Sequence, residues 1–194
     1  MRIFVAGASG VIGRALLPLL VARGHEVAGM TRSPDKVDLL RDLGAEPVTC
    51  DVYDRTALLA AVAEFRPDAV VHQLTDLPDD SARIRELASA NTRMRREGTR
   101  NLLDAAAAAG NRYLVAQSIA WDPPGDGRDA KLDLERAVLD AGGVVARYGQ
   151  LYGPGTYFED RLPESPRVSV AEAARRTVPL IGAPSGIVEV LDPA

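Results

Sequence analysis

The 194-residue sequence predicts an α/β protein with a doubly wound parallel sheet covered by helices on both faces, in three αβα layers. Three observations predict it. Short apolar runs alternate with stretches of helical period along most of the chain, each stretch is long enough for a crossover, and the first apolar run ends in glycines spaced three apart. Strands joined through helices cannot be hairpins, so they lie parallel in one sheet with right-handed connections.

Taken in order, residues 2–6 read as a buried strand, followed by the glycine turn and a helix whose apolar positions are Ile12, Ala15, Leu16, Leu19 and Leu20. Pro18 lies inside that helix and predicts a kink rather than a break. Gly24 stops the helix before a strand at 26–30. The alternation continues with a helix at 34–43, a strand at 46–50, a helix at 55–65 and a strand at 68–72. A long helical stretch at 80–109 follows, with Ile84, Leu87, Ala88, Met94, Leu102 and Ala106 on one stripe and its arginines mostly on the other side. Asn91 falls on the apolar stripe, where a buried amide needs hydrogen-bond partners. A strand at 112–117, a helix at 131–140 and a strand at 144–147 come next, then a helix at 169–181 and a strand at 187–191. The whole chain, 1–194, reads as one domain with a core over 1–157 and an abbreviated C-terminal segment at 158–194.

Composition narrows the function. Apolar residues at 46% and charged residues at 26% place the chain among ordinary globular proteins and away from disorder. A net charge of −4 gives no broad positive field, so no nucleic-acid partner is expected. One cysteine, Cys50, and two histidines make no recognisable metal-ligand set, and no metal is expected. The first strand begins at once, without an apolar leader, and no segment reaches the roughly 20 apolar residues of a membrane span. The expectation is a cytoplasmic protein that does not contact a membrane.

Gly7, Gly10 and Gly13 stand between the first strand and the first helix, with Ala8, Ser9, Val11 and Ile12 between them. Glycine lets the backbone turn tightly and approach a pyrophosphate, while the amides and dipole of the helix N-terminus favour the negative charge. In this position the turn is the mark of a dinucleotide-binding Rossmann fold. After the second strand, where a NAD site carries an acidic residue, the chain has Thr31 and Arg32. Arg32 can pair with a 2′-phosphate through its planar fork, which predicts NADP as the cofactor, with NAD as the alternative. Asp51 and Val52, beyond the third strand, are expected beside the adenine; their other reading is a helix entry capped by Asp51 or Asp54.

With these residues in view, the chain resembles the extended and atypical short-chain dehydrogenase/reductase superfamily, in particular its NAD-dependent epimerase/dehydratase branch. The resemblance covers Met1 to about Tyr157. It rests on the glycine turn, on Val70-Val71-His72-Gln73-Leu74, on Asn91 with Glu97-Gly98-Thr99-Arg100-Asn101-Leu102-Leu103, on Ser118, and on Arg147-Tyr148-Gly149-Gln150-Leu151-Tyr152-Gly153-Pro154-Gly155. It implies that His72, Gln73 and Leu74 line the cofactor and that the long helices can pair two copies into a homodimer. It implies a Ser or Thr after the fifth strand and a Tyr-x-x-x-Lys on the next helix. Ser118 and Lys131 fit; Gly127 stands where the tyrosine should be. A glycine donates no proton, so the usual relay requires Tyr148, Tyr152 or Tyr157 to reach the site from another direction. The substrate region after Tyr157 is also short beside the family's.

Three activities remain open from sequence: an NAD(P)(H)-dependent oxidoreductase acting on a small carbonyl or sugar-like substrate near Ser118, a non-redox epimerase, dehydratase or cyclase, and a non-catalytic NADP-binding redox sensor. Fold analogy alone does not choose among them.

Overall fold

The computed structural model describes residues 1–78, 80–110 and 113–193. Its strands are β1 (Arg2–Ala6), β2 (Glu26–Thr31), β3 (Glu46–Thr49), β4 (Ala69–His72), β5 (Tyr113–Ile119), β6 (Val144–Tyr148), β7 (Gln150–Tyr152), β8 (Arg167–Ser169) and β9 (Gly186–Val190). Seven of them form one parallel sheet in the order β3-β2-β1-β4-β5-β6-β9, while β7 and β8 make a separate two-stranded sheet. The helices are α1 (Val11–Val21), α2 (Val37–Asp42), α3 (Arg55–Phe65), α4 (Ala88–Arg93), α5 (Thr99–Ala108), α6 (Asp126–Asp140) and α7 (Val170–Thr177).

Successive side chains of a strand point to opposite faces, and both faces of β1 are covered, which is why its sequence is apolar without alternation. Phe4 and Ala6 join Leu58 and Val62 of α3 and Leu102 of α5 on one face. Ile3 and Val5 meet Leu16, Leu17 and Leu20 of α1 on the other. Asp54 caps α3, its Oδ1 accepting from the Ala57 amide at 3.0 Å. The helix α1 runs unbroken through Pro18, which is exposed, so the carbonyl it leaves without a partner belongs to the solvent side.

Several elements differ from expectation. The stretch 34–43 opens as a 3₁₀ turn at Pro34–Lys36 before α2. The stretch 80–109 is not one helix: a 3₁₀ turn at Ser81–Arg83, capped by Asp80, is followed by α4, a π turn at Met94–Gly98 and α5. Inside the π turn Gly98 leaves room for the Met94 side chain, whose Sδ lies 2.6 Å from where a Cβ would stand. Met94, Leu102 and Ala106 are buried in the core, while Ala88 is exposed and Ile84 and Leu87 are half-buried. The continuous apolar stripe that suggested a homodimer is therefore absent; the sheet covers its C-terminal half. The helix expected at 131–140 begins at Asp126, with Asp126 and Asp129 in its first turn, where negative charge is favoured. Arg112, the first residue of the strand expected at 112–117, lies outside the described residues. Within residues 158–193, α7 packs on α1 and β9 extends the main sheet beside β6.

Both sheet edges carry a specific feature. On β3, the Cys50 amide donates inward to Thr31 O at 3.0 Å. Counting back by two turns Val48 inward and Pro47 outward, so the missing N–H lies on the free edge. On β9, the guanidinium of Arg176 donates to Glu189 O at 3.0 Å and Leu191 O at 2.6 Å, the carbonyls that face away from β6.

Candidate functional site

Between β1 and α1 the backbone folds into a turn tied to the neighbouring strand, with the amides of Gly7 and Ala8 both donating to Met30 O at 3.2 and 3.0 Å. The three glycines have different reasons to be there. Gly7 has φ +85°, and a Cβ on it would meet Gln73 O at 2.6 Å; a Cβ on Gly13 would meet Gly7 O at 2.4 Å. Those two keep the turn packed on itself and on β4. Gly10 has φ −73°, and the nearest atom to a Cβ there is Gly7 O at 3.2 Å. No side chain caps the N-terminus of α1 at Gly10, so its first amides and its dipole are available to an anion.

A cleft of about 140 Å³ opens on this turn, lined by Gly7, Ser9, Gly10, Thr31, Arg32, Gln73 and Leu74. It lies at the carboxyl ends of β1, β2 and β4, where the strand order reverses. Ser33 and Thr75 complete the lining. Ser9 and Thr31 share a hydroxyl hydrogen bond at 2.9 Å. The other residues expected at the cofactor lie outside this lining. Val11 opens α1, Ile12 is buried in the core, and Asp51 accepts from the Tyr53 amide at 2.9 Å. Val52 is buried, its carbonyl accepting from Asn101 Nδ2 at 3.0 Å. His72 lies under the cleft floor. Its Nδ1 accepts from the Leu74 amide at 3.2 Å, which leaves Nε2 to donate to Thr99 Oγ1 at 2.9 Å. Burial pushes this imidazole down to about 4, so it is neutral at physiological pH.

The far wall is the segment 73–78 after β4, held from three directions. Gln117 Nε2 donates to Leu74 O at 2.8 Å, Asn91 Oδ1 accepts from the Asp76 amide at 3.1 Å, and the Tyr157 hydroxyl donates to Pro78 O. Asn91 thus finds its partner in this loop. From the wall, Asp76 reaches across to Arg32, Oδ1 to Nη2 at 2.9 Å. Sequence reasoning singled out Arg32 but missed Asp76.

The catalytic candidates separate onto two faces of the sheet. Ser118 pairs in register with Arg147, one residue before Tyr148, so Ser118 and Tyr148 point oppositely. Ser118 Oγ donates to Glu135 Oε1 at 2.6 Å, and Arg147 binds the same carboxylate through Nε at 2.8 Å and Nη2 at 2.6 Å. Burial pushes the Glu135 carboxyl up, but the hydrogen bonds from Arg147 and Ser118 outweigh it, and the group stays below the usual carboxylate range. Lys131 Nζ donates to Trp121 O and Asp122 Oδ1, both at 3.0 Å. Tyr148 is buried in a directional chain in which Gln73 Nε2 donates to its oxygen at 3.2 Å. Its own proton goes to Thr177 Oγ1 at 2.6 Å, and Thr177 donates to Ala173 O at 2.7 Å. Burial raises the phenol, so that proton stays in place. Tyr152 donates to Asp192 Oδ2 at 2.7 Å. The structure brings Ser118, Glu135 and Arg147 together, and it brings neither Tyr148 nor Tyr152 to them.

The cleft fits a dinucleotide, because the glycine cradle is a space that side chains would fill, with uncapped amides facing it and hydroxyls around it. Among the described residues no group of three or more His, Cys, Asp or Glu side chains could hold a metal, and no helix is long and apolar enough to cross a membrane. Comparisons with known proteins agree on the fold. A UDP-glucose 4-epimerase of Thermus thermophilus, solved as a complex with NAD, superposes with a TM-score of 0.79 at 22% identity, covering 98% of this chain and 78% of that one. The UDP-Glc/GlcNAc 4-epimerase of Campylobacter jejuni gives a TM-score of 0.82 at 14% identity over the same shares, 98% and 78%. Among curated proteins, a Streptomyces "3-diazoavenalumate denitrifying reductase" is 43% identical over 183 residues, which is 80% of this chain; the chain spans 58% of that reductase's length. Residues 3–139 match the profile of the NAD dependent epimerase/dehydratase family. Glycine turn, strand order and profile converge, and the chain belongs to the NAD dependent epimerase/dehydratase family.

Proposed function

We propose that this protein is an NAD(P)H-dependent reductase that reduces a small electrophilic substrate beside Ser118. The observation that carries the reading is the glycine cradle, open at Gly10 and facing the uncapped N-terminus of α1, with Arg32 on its rim. When bound, a reduced nicotinamide cofactor would supply a hydride. Gly7, Ser9 and Gly10 would hold its pyrophosphate and Arg32 a 2′-phosphate, which favours NADP over NAD.

What the chain's own residues do bears on the substrate. Ser118 commits its hydroxyl proton to a hydrogen bond with Glu135 and is left as an acceptor, Lys131 is tied to Trp121 and Asp122, and Gly127 stands where the family carries tyrosine. This arrangement suits an acceptor that needs no proton on oxygen better than it suits a carbonyl. The name of the Streptomyces relative describes such a substrate. When hydride replaces a diazonium nitrogen, one C–H bond forms, the C–N bond breaks, and its electron pair leaves with dinitrogen. The net change is a two-electron reduction without protonation.

Mixing the protein with NADPH, then with a diazonium compound or a carbonyl panel, and following the reduced-nicotinamide absorbance tests this. Consumption with dinitrogen release and little turnover of carbonyls is the expected result. Tight NADPH binding without consumption by any acceptor would favour the non-catalytic redox sensor. We further propose a cytoplasmic homodimer paired through the outer faces of α5 and α6, where Arg100 and Arg136 stand among Asp104 and Asp140. Light scattering at the monomer mass of 20.7 kDa would overturn the dimer.

A further inference from the structure

We infer that Asp76 is a specificity-determining residue of the cofactor cleft, the counter-ion that holds the preference for a 2′-phosphorylated dinucleotide below what Arg32 alone would give. The inference rests on the cofactor reading above and concerns the adenosine end of that site.

Arg32 lies on the rim of the cleft, and Asp76 Oδ1 accepts from its Nη2 at 2.9 Å. The contact is not a passing surface pair. Arg32 leaves from the carboxyl end of β2, Asp76 from the wall after β4, and the strand β1 lies between those two strands, so the pair spans the cleft mouth. Asp76 is the better buried partner, with its side chain 21% exposed against 58% for Arg32. Its backbone is pinned by Asn91, which accepts from its amide at 3.1 Å, and the wall is pinned on either side by Gln117 and Tyr157. The carboxylate is therefore held in place, and the arginine comes to it.

Two consequences follow for a ligand. A 2′-phosphate approaching Arg32 meets a fixed carboxylate on the same guanidinium and is repelled by it, so part of the attraction is cancelled. A ribose carrying free 2′- and 3′-hydroxyls meets in Asp76 the acceptor that the β2 terminus lacks, since Thr31 and Arg32 occupy the place of the usual acidic residue. One fixed pair thus serves both cofactors. Its arginine attracts the phosphate, and its aspartate accepts from the hydroxyls.

Fluorescence titration of NADPH and NADH, with calorimetry of adenosine 2′,5′-bisphosphate and 5′-AMP, tests this on the full chain. Asp76→Asn, which keeps the shape and loses the charge, is expected to tighten NADPH and the bisphosphate by about fivefold, the size of one solvent-screened charge contact at the cleft mouth, while NADH and AMP stay the same or weaken. Arg32→Ala is expected to loosen NADPH by roughly tenfold, and Asp76→Asn is expected to restore part of that loss in the double variant, because the carboxylate still repels the phosphate once its guanidinium is gone. Circular dichroism confirms folding, and Asp76→Ser serves as the second variant should Asn perturb the loop. An unchanged NADPH/NADH ratio in a folded Asp76 variant overturns the inference while leaving the cofactor reading standing. Failure of the unmodified protein to bind either dinucleotide overturns both.

Discussion

A Cβ at Gly10 would have only Gly7 O near it, at 3.2 Å, whereas one at Gly13 would run into Gly7 O at 2.4 Å and Ala8 O at 2.6 Å. The backbone of Gly10 is also in an ordinary extended conformation, at φ −73° and ψ 174°. Gly10→Val should therefore stay folded, with Gly7 O giving way by a few tenths of an ångström, and lose NADPH binding, while Gly13→Val should lose stability by about 1–3 kcal/mol or more through the forced shift of the turn. Circular dichroism melting with cofactor fluorescence separates the two. A folded Gly10→Val that binds NADPH unchanged would remove the cradle from the site. His72 gives a second expectation at this scale. Its folded pKa of about 4 lies below the ordinary 6.5, so the unfolded chain takes up the proton first as pH falls. The stability of the neutral, buried ring is fully present above about pH 6.5 and is lost progressively as pH drops toward 4, by roughly 3 kcal/mol in all. Urea midpoints across that window should show a slope in the parent that His72→Asn lacks; equal slopes would place the pH dependence elsewhere.

At the scale of elements, the segment 73–78 is a loop with the fixity of a strand, because Gln117, Asn91 and Tyr157 each hold one of its backbone groups. Asn91→Ala should cost about 1 kcal/mol and speed hydrogen exchange at the Asp76 amide, with β1 unaffected. Unchanged exchange at residue 76 would show that the other two anchors suffice. This wall also marks where the sequence stops being legible. The glycine turn and the alternation of strands and helices are local patterns, and they are readable from spacing alone. Asp76 meets Arg32 across 44 residues, and nothing in the local pattern of the loop points to that partner. Asn91 is readable as a buried amide in need of a partner, but which backbone it meets depends on the path of the loop. The stretch 80–109 breaks where its sequence predicts one helix, because the period of apolar residues continues through the break before Ala88, and periodicity alone does not distinguish one helix from a turn followed by another. The opposite orientation of Ser118 and Tyr148 follows only from the register of β5 on β6.

At the scale of the whole molecule, β3 and β9 are the outer strands of the parallel sheet among the described residues, and each leaves one flank unpaired there. Each flank is a row of backbone groups on which another extended chain could pair and grow. Pro47 leaves a gap in the donor row of the first, and Arg176 occupies two acceptors of the second. Neither substitution at these positions touches the cleft, so removing both devices should leave cofactor binding intact. Pro47→Val combined with Arg176→Ala should instead lower the concentration and temperature at which turbidity appears on gentle heating, before the parent scatters at all. Turbidity onset equal to the parent's would show that the flanks are harmless as they stand. Blunted on both sides, the sheet offers no edge on which copies could stack head to tail, so the flanks work against open-ended fibre growth.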